Sequence, residues 1–191
     1  MDPREPLRFL IEGSCNLVRE AASELSDAEW DSRAAPGTSK LGFTVWHSAR
    51  IVDWAVTRAA RGVAEVAESE TWRGRFPAAA LAGFGIPDHV ADGIPSAAGR
   101  ELVLRYVDDV RAAARAFLDG LSEADLETPV RLRANLAGTD YLRPEVWAEI
   151  ESLEGVRLWQ LLVRPPASHV RVHMGEVQAL RPLLRGPVAT A

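Results

Sequence analysis

The sequence predicts an all-α fold, a four-helix bundle with long connecting loops, on three observations. Four stretches carry apolar residues at helical spacing: Pro6–Leu25, Lys40–Arg61, Ala97–Leu118 and Val156–Leu184. No stretch shows the apolar–polar alternation of a half-buried strand, and there is no internal repeat or low-complexity tract. The 191 residues are 47% hydrophobic and 26% charged, which suits one ordinary domain, residues 1–191, whose core needs no disulfide staples.

In the first stretch Leu7, Leu10, Ile11, Leu17, Val18, Ala21 and Leu25 form the inward stripe, and Cys15 beside it reads as a small core residue. Ser26-Asp27-Ala28-Glu29 has the capping-box pattern and opens a short helical turn. Asp31–Ser39 is a loop punctuated by Pro36-Gly37; Thr38 or Ser39 then caps the second helix and Gly62 ends it. That helix sets His47, Ile51, Trp54 and Arg58 on one line. Val63–Ser96 holds so many glycines and prolines that no long regular element is expected, only one helical turn at Ala78–Leu81; a connection this long is often functional. Ser96 caps the third helix, whose predicted stripe is Leu102, Tyr106, Val110, Ala113 and Phe117 and which Gly120 closes. Ser122-Glu123-Ala124-Asp125 resembles a second capping box. Pro129–Arg143 is irregular, with an extended piece at Val130–Arg133, and Pro144 suits the first turn of a helix running to Leu153. Pro165-Pro166 kinks or divides the fourth helix, with a fresh start near Ala167.

Bulk properties narrow the function. Twenty-two Lys and Arg against 27 Asp and Glu give a net charge of −5, which weighs against a nucleic-acid partner. No apolar run approaches the ~18 residues that span a bilayer, so no membrane partner is expected. Met1-Asp2-Pro3-Arg4-Glu5-Pro6 lacks the apolar stretch of a signal peptide, and a cytoplasmic location is expected. One cysteine supports neither a disulfide framework nor a multi-thiolate metal site. Trp46, Trp54, Trp72 and Trp159 are predicted core or pocket wall.

Two of the four histidines, His169 and His173, stand one helical turn apart on a line that runs from Leu158 and Leu162 to Glu176, Val177 and Leu180. Both imidazoles are therefore predicted to face the core. Such a pair also occurs on solvated helix faces; placement on an apolar line, and a third histidine, His47, on another, point to a shared ion. Buried imidazoles need partners, and bundles build metal sites from facing helices. Three neutral imidazoles with open positions describe a catalytic type of site, suited to zinc, nickel or another borderline divalent ion. Glu176 is the candidate to orient a ligand. Arg50, Arg164 and Arg171 flank the histidine segments and offer carboxylate clamps, with Arg50 and Arg171 the cofactor-binding candidates, against the commoner role of surface charge. Asp53 is predicted to point away from the His47 face, and His89 to be an exposed loop histidine.

The segment Gly42-Phe43-Thr44-Val45-Trp46-His47-Ser48-Ala49-Arg50-Ile51-Val52-Asp53-Trp54 resembles the second-helix signature of the DinB/YfiT-like superfamily. His169-Val170-Arg171-Val172-His173-Met174-Gly175-Glu176 and the residues up to Arg181 resemble that family's last-helix motif, two histidines followed by a glycine and a polar residue. Trp72–Leu121 is similar in character. The resemblance implies an up-and-down-type bundle that holds a divalent metal through His47, His169 and His173, and a homodimer. Its characterised branches imply a transferase or isomerase that joins a mycothiol-, bacillithiol- or glutathione-type cosubstrate to a small-molecule electrophile. Two features depart from the simplest pattern: Pro165-Pro166 just before the histidine pair, and Pro129–Leu153, which reads as an insertion. A metal with three neutral ligands keeps its positive charge and can hold a thiol as thiolate. It can equally lower the pKa of water to about 7, so a metal-dependent hydrolase is the alternative function, and a non-enzymatic binding or stress-response module the third.

Overall fold

The computed structural model describes residues 2–185. Helix α1 (Arg4–Glu24) buries Leu7, Ile11, Cys15 and Val18 along one face. The short α2 (Asp27–Trp30) starts on the expected capping box: Ser26 Oγ accepts the Glu29 N–H at 3.2 Å and Glu29 Oε2 accepts the Ser26 N–H at 2.7 Å. Helix α3 (Leu41–Trp54) buries every residue except Phe43 and runs on through a π-turn, Ala55–Ala59, to stop at Gly62. A helix apolar on all sides belongs at the centre, and α1, α5 (Arg100–Asp119) and α10 (Val170–Leu184) pack around it.

Several predicted boundaries shift. The 63–96 connection contains a ten-residue helix, α4 (Asp88–Ala97), despite Gly93 and Pro95 inside it. Burial of Ile94 and Pro95 against α3, with the Trp30 indole donating to the Pro95 carbonyl at 3.1 Å, outweighs their poor helix propensity. The expected caps are spent elsewhere: the Thr38 hydroxyl turns back to the Ala35 carbonyl (2.8 Å) and the Ser96 hydroxyl to Asp31 (3.3 Å). Helices α3 and α5 thus begin later, after Lys40 and Gly99, without side-chain caps.

The buried stripe of α5 is Val103, Tyr106, Val107, Val110, Ala114 and Leu118 rather than the line through Leu102, Ala113 and Phe117, because α5 packs on both α1 and α3 and its buried face lies between them. After the second capped turn, α6 (Glu123–Leu126), the chain pairs briefly with the stretch before α9: Pro129 bridges to Arg157, and the Val130 N–H donates to the Val156 carbonyl. Residues expected to continue that strand form α7 (Leu132–Asn135). Helix α8 (Pro144–Ile150) and the divided last helix, α9 (Leu158–Val163) and α10, follow the prediction. Trp46, Trp54 and Trp72 are core residues, whereas Trp159 faces outward from α9 and is 39% exposed. No helix among the described residues is long and apolar enough to cross a membrane.

Candidate metal centre

The three histidines predicted as ligands converge. His47 lies on α3, His169 ends a π-turn (Arg164–His169), and His173 sits in the first turn of α10. His47 Nε2 is 3.2 Å from His169 Nε2, which is 3.1 Å from His173 Nε2. One correction applies: only His47 is buried, His173 being half-buried and His169 exposed. The buried line of α10 is Val170, Met174 and Val177, one residue past the histidine line, so the two imidazoles lean from the helix edge onto α3.

A strap of loop, residues 81–84, fixes the His47 ring. Its Ala82 carbonyl accepts the His47 Nδ1–H at 2.6 Å. To turn that carbonyl inward, Leu81 adopts φ +45° and Gly83 φ +97°. A Cβ on Gly83 would stand 2.3 Å from His47 Nδ1, so only glycine lets the strap lie this close. Arg50, one turn beyond His47, anchors the same strap by donating to the Leu81 carbonyl from Nε (3.2 Å) and Nη2 (3.0 Å). Phe43 stacks on the His47 ring at 5.8 Å and Phe84 meets it edge-on at 6.0 Å, completing an apolar enclosure. The strap escaped sequence reasoning. The run Gly83-Phe84-Gly85 marks a turn but not the helix its carbonyls face.

Hydrogen bonding sets the tautomers. A carbonyl can only accept, so His47 carries its proton on Nδ1 and presents a bare Nε2. His173 donates from Nδ1 to Glu176 Oε2 at 3.1 Å, so in its neutral form it also presents a bare Nε2. Burial, reinforced by His173 and His169, pushes the His47 pKa down to about 3; burial and His173 push His169 to about 4. The His47 and His169 imidazoles are therefore neutral at physiological pH. Two bare nitrogens then aim at the single Nε2 of His169, whose one proton cannot serve both well. A cation satisfies all three at once. Ligands at 2.0–2.1 Å from zinc stand about 3.3 Å apart in a tetrahedron, close to the two spacings to His169, and all three ligand nitrogens lie within 4.8 Å of one another. The donor set therefore fits a divalent ion.

Glu176 lies against His173, the contact that an orienting role would need. Arg50 and Arg171 are committed elsewhere. Besides Leu81, Arg50 contacts Asp53 (3.1 Å), the Tyr106 hydroxyl (2.8 Å) and Glu65 (2.7 Å), while Arg171 reaches the Leu10 carbonyl (3.1 Å) and Ser14 (3.4 Å). Burial alone would lower the Arg50 pKa; the field of Tyr106, Glu65, Tyr141 and Asp53 overcomes it and keeps the guanidinium charged. Asp53 is that network's hub, also accepting the Val66 and Ala67 N–H groups. His89 is exposed as predicted, but on α4 rather than in a loop. A pocket of about 450 Å³ opens beside His169, walled by Ile51, Phe84, Ile150, Leu153 and Val172, with Glu149, Ser152, Arg164 and Ser168 as its further polar groups.

Comparison with known proteins agrees with this architecture. The sequence model of the DinB superfamily matches residues 10–150. This chain belongs to the DinB superfamily. The match includes α3 with His47 and ends before His169 and His173, which the fold brings to the same point. The DinB chain is also similar to a solved structure described as the conserved protein of locus from Enterococcus faecalis. Identity there is 17% and the TM-score 0.69, over 98% of this chain and 99% of that one, which is a likeness of fold. No curated protein matches it.

Proposed function

We propose that this protein is a metal-dependent enzyme that joins a low-molecular-weight thiol to a small-molecule electrophile, or isomerises a substrate through such a thiol, with zinc or nickel held by His47, His169 and His173. The observation that carries this reading is three imidazoles converging on one point, with His169 also lining a pocket whose apolar wall is Ile51, Phe84, Ile150, Leu153 and Val172. A divalent ion there would supply the positive charge that keeps a cosubstrate thiol in its thiolate form. The chain's own residues do the rest. Ala82 and Glu176 hold two imidazoles in the coordinating tautomer. Phe43 and Phe84 keep water from the His47 ring, and Ile51 and Leu153 give an electrophile an apolar seat. The nucleophile must be brought in. Cys15 is fully buried within the bundle and burial pushes its thiol up to about 12, so it cannot serve.

The test uses protein purified without a nickel column, loaded with zinc or nickel, and given electrophiles with and without glutathione, bacillithiol or mycothiol. Expected are about one ion per chain, either thiol consumption matched by thioether product or thiol-dependent isomerisation with the thiol regenerated, and loss of both metal and turnover in His47→Ala. Water-derived product without thiol would replace this reading with a hydrolase. Metal binding without turnover would replace it with a binding module.

A further inference from the structure

We infer that Arg164 is the substrate-recognition residue of the pocket beside His169, and that the electrophile it admits is an apolar carboxylate. The inference rests on the proposed function and specifies its substrate class. The geometry begins with Pro165-Pro166. Neither proline has an N–H to return to Leu161 or Leu162, and the helix widens into the π-turn Arg164–His169. On an α-helix, residues five apart are about 140° apart around the axis. In a π-turn the i→i+5 pattern brings them onto nearly one face. Arg164 and His169 are five apart, and both line the same pocket. The widened turn thus carries a guanidinium and a metal-directed imidazole to one cavity.

That guanidinium is uncommitted. Among the described residues Arg164 has no ion pair, and its one hydrogen bond is a 3.5 Å donation to the Ser152 carbonyl. The one acid on the pocket, Glu149, is engaged by the Gly85 N–H at 2.9 Å. The remaining wall is mostly apolar, through Ile51, Phe84, Leu153 and Val172. A planar, fork-shaped cation at the edge of an apolar cavity recognises a planar carboxylate bidentately, and it has no comparable partner in a neutral ligand.

The probes are phenylacetate and phenylacetamide, matched in shape and differing in charge. Binding is measured calorimetrically on zinc-loaded and metal-free protein. Expected is roughly tenfold preference for the carboxylate in both forms. Arg164→Gln should reduce it to within twofold, and Arg164→Lys should retain part. Arg164 is exposed and nearly free of bonds, so both variants should fold. Preference surviving in Arg164→Gln, or present only with zinc, would overturn the inference by assigning carboxylate recognition to another group or to the ion. Absence of binding by either probe would overturn it too. Carboxylate preference without thiol consumption would retain Arg164 and remove the transferase reading. Thiol transfer with no loss of carboxylate selectivity in Arg164→Gln would do the reverse.

Discussion

Replacing Gly83 by alanine tests whether the strap sets metal affinity. The new Cβ would lie 2.3 Å from His47 Nδ1, where real Cβ contacts stay at or above 3.0 Å, so the strap must retreat by at least 3.0 − 2.3 = 0.7 Å. Arg50 pins the neighbouring Leu81 carbonyl, which concentrates the retreat on the 2.6 Å bond between Ala82 and His47. A metal-ligating histidine that loses its orienting partner typically costs 10–100-fold in affinity, and the left-handed backbone adds about 1–3 kcal/mol of strain. Two glycines provide controls. Gly74 has φ +76° but open space around it, so Gly74→Ala carries backbone strain without the clash; Gly93, inside α4, has neither. Zinc affinity is read by competition with a chromophoric chelator, and stability by denaturant unfolding. Gly83→Ala should lose both, Gly74→Ala stability alone, and Gly93→Ala neither. Gly83→Ala protein binding zinc within twofold of wild type, or Gly74→Ala losing as much affinity, would refute the reasoning.

Three further outcomes are expected. Glu176→Gln should weaken zinc binding about tenfold by removing the charged acceptor of His173, while metal-free stability moves by less than about 0.5 kcal/mol, as for an exposed residue. Tyr106→Phe strips a hydroxyl that donates to Asp53 and accepts from Arg50, both buried, and should cost about 1–3 kcal/mol in denaturant unfolding. Glu29 supplies a pH dependence. Hydrogen bonds from Arg185 and then the Ser26 N–H lower its pKa from 4.5 to about 2. The unfolded chain binds this proton more readily, so the stabilisation is present above about pH 4.5 and is lost as pH falls towards 2. Glu29→Gln should flatten the stability profile in that window, and an unchanged slope would contradict it.

How much of this was legible in sequence depends on the range of the interaction. The long helices were readable because each repeats its own apolar spacing, and His47, His169 and His173 because spacing and the family resemblance are local signals. Helix α4 was not, since Gly93 and Pro95 advertise a break that only packing on α3 overrules. Nor was the strap, because its role arises from long-range partners: Leu81 finds Arg50 and Ala82 finds His47, across more than 30 residues. Arg50 illustrates the same limit. A lone arginine on a helix reads as surface charge or a ligand clamp; its pairing with Asp53 follows helical spacing, while its commitment to Glu65 and Tyr106 joins parts of the chain that no spacing rule connects.

The exposure of His169 and His173 has a physical cause in the double proline. Upstream of it, α9 buries Leu158, Leu161 and Leu162. Continued at helical spacing, that line would pass through His169, His173 and Glu176 and place both imidazoles in the core. The π-turn holds one more residue per turn than an α-helix, so the buried line emerges one position later, at Val170, Met174 and Val177. The histidines are thereby moved from the core to its edge, still against α3, and His169 lines a pocket. The widened turn packs against α3 and the π-turn that continues it, where Ala55 and Ala59 are fully buried, and its own Ala167 is 1% exposed. A straight α-helix of the same composition would enclose these imidazoles as core residues. The inserted residue leaves them at the surface of the bundle.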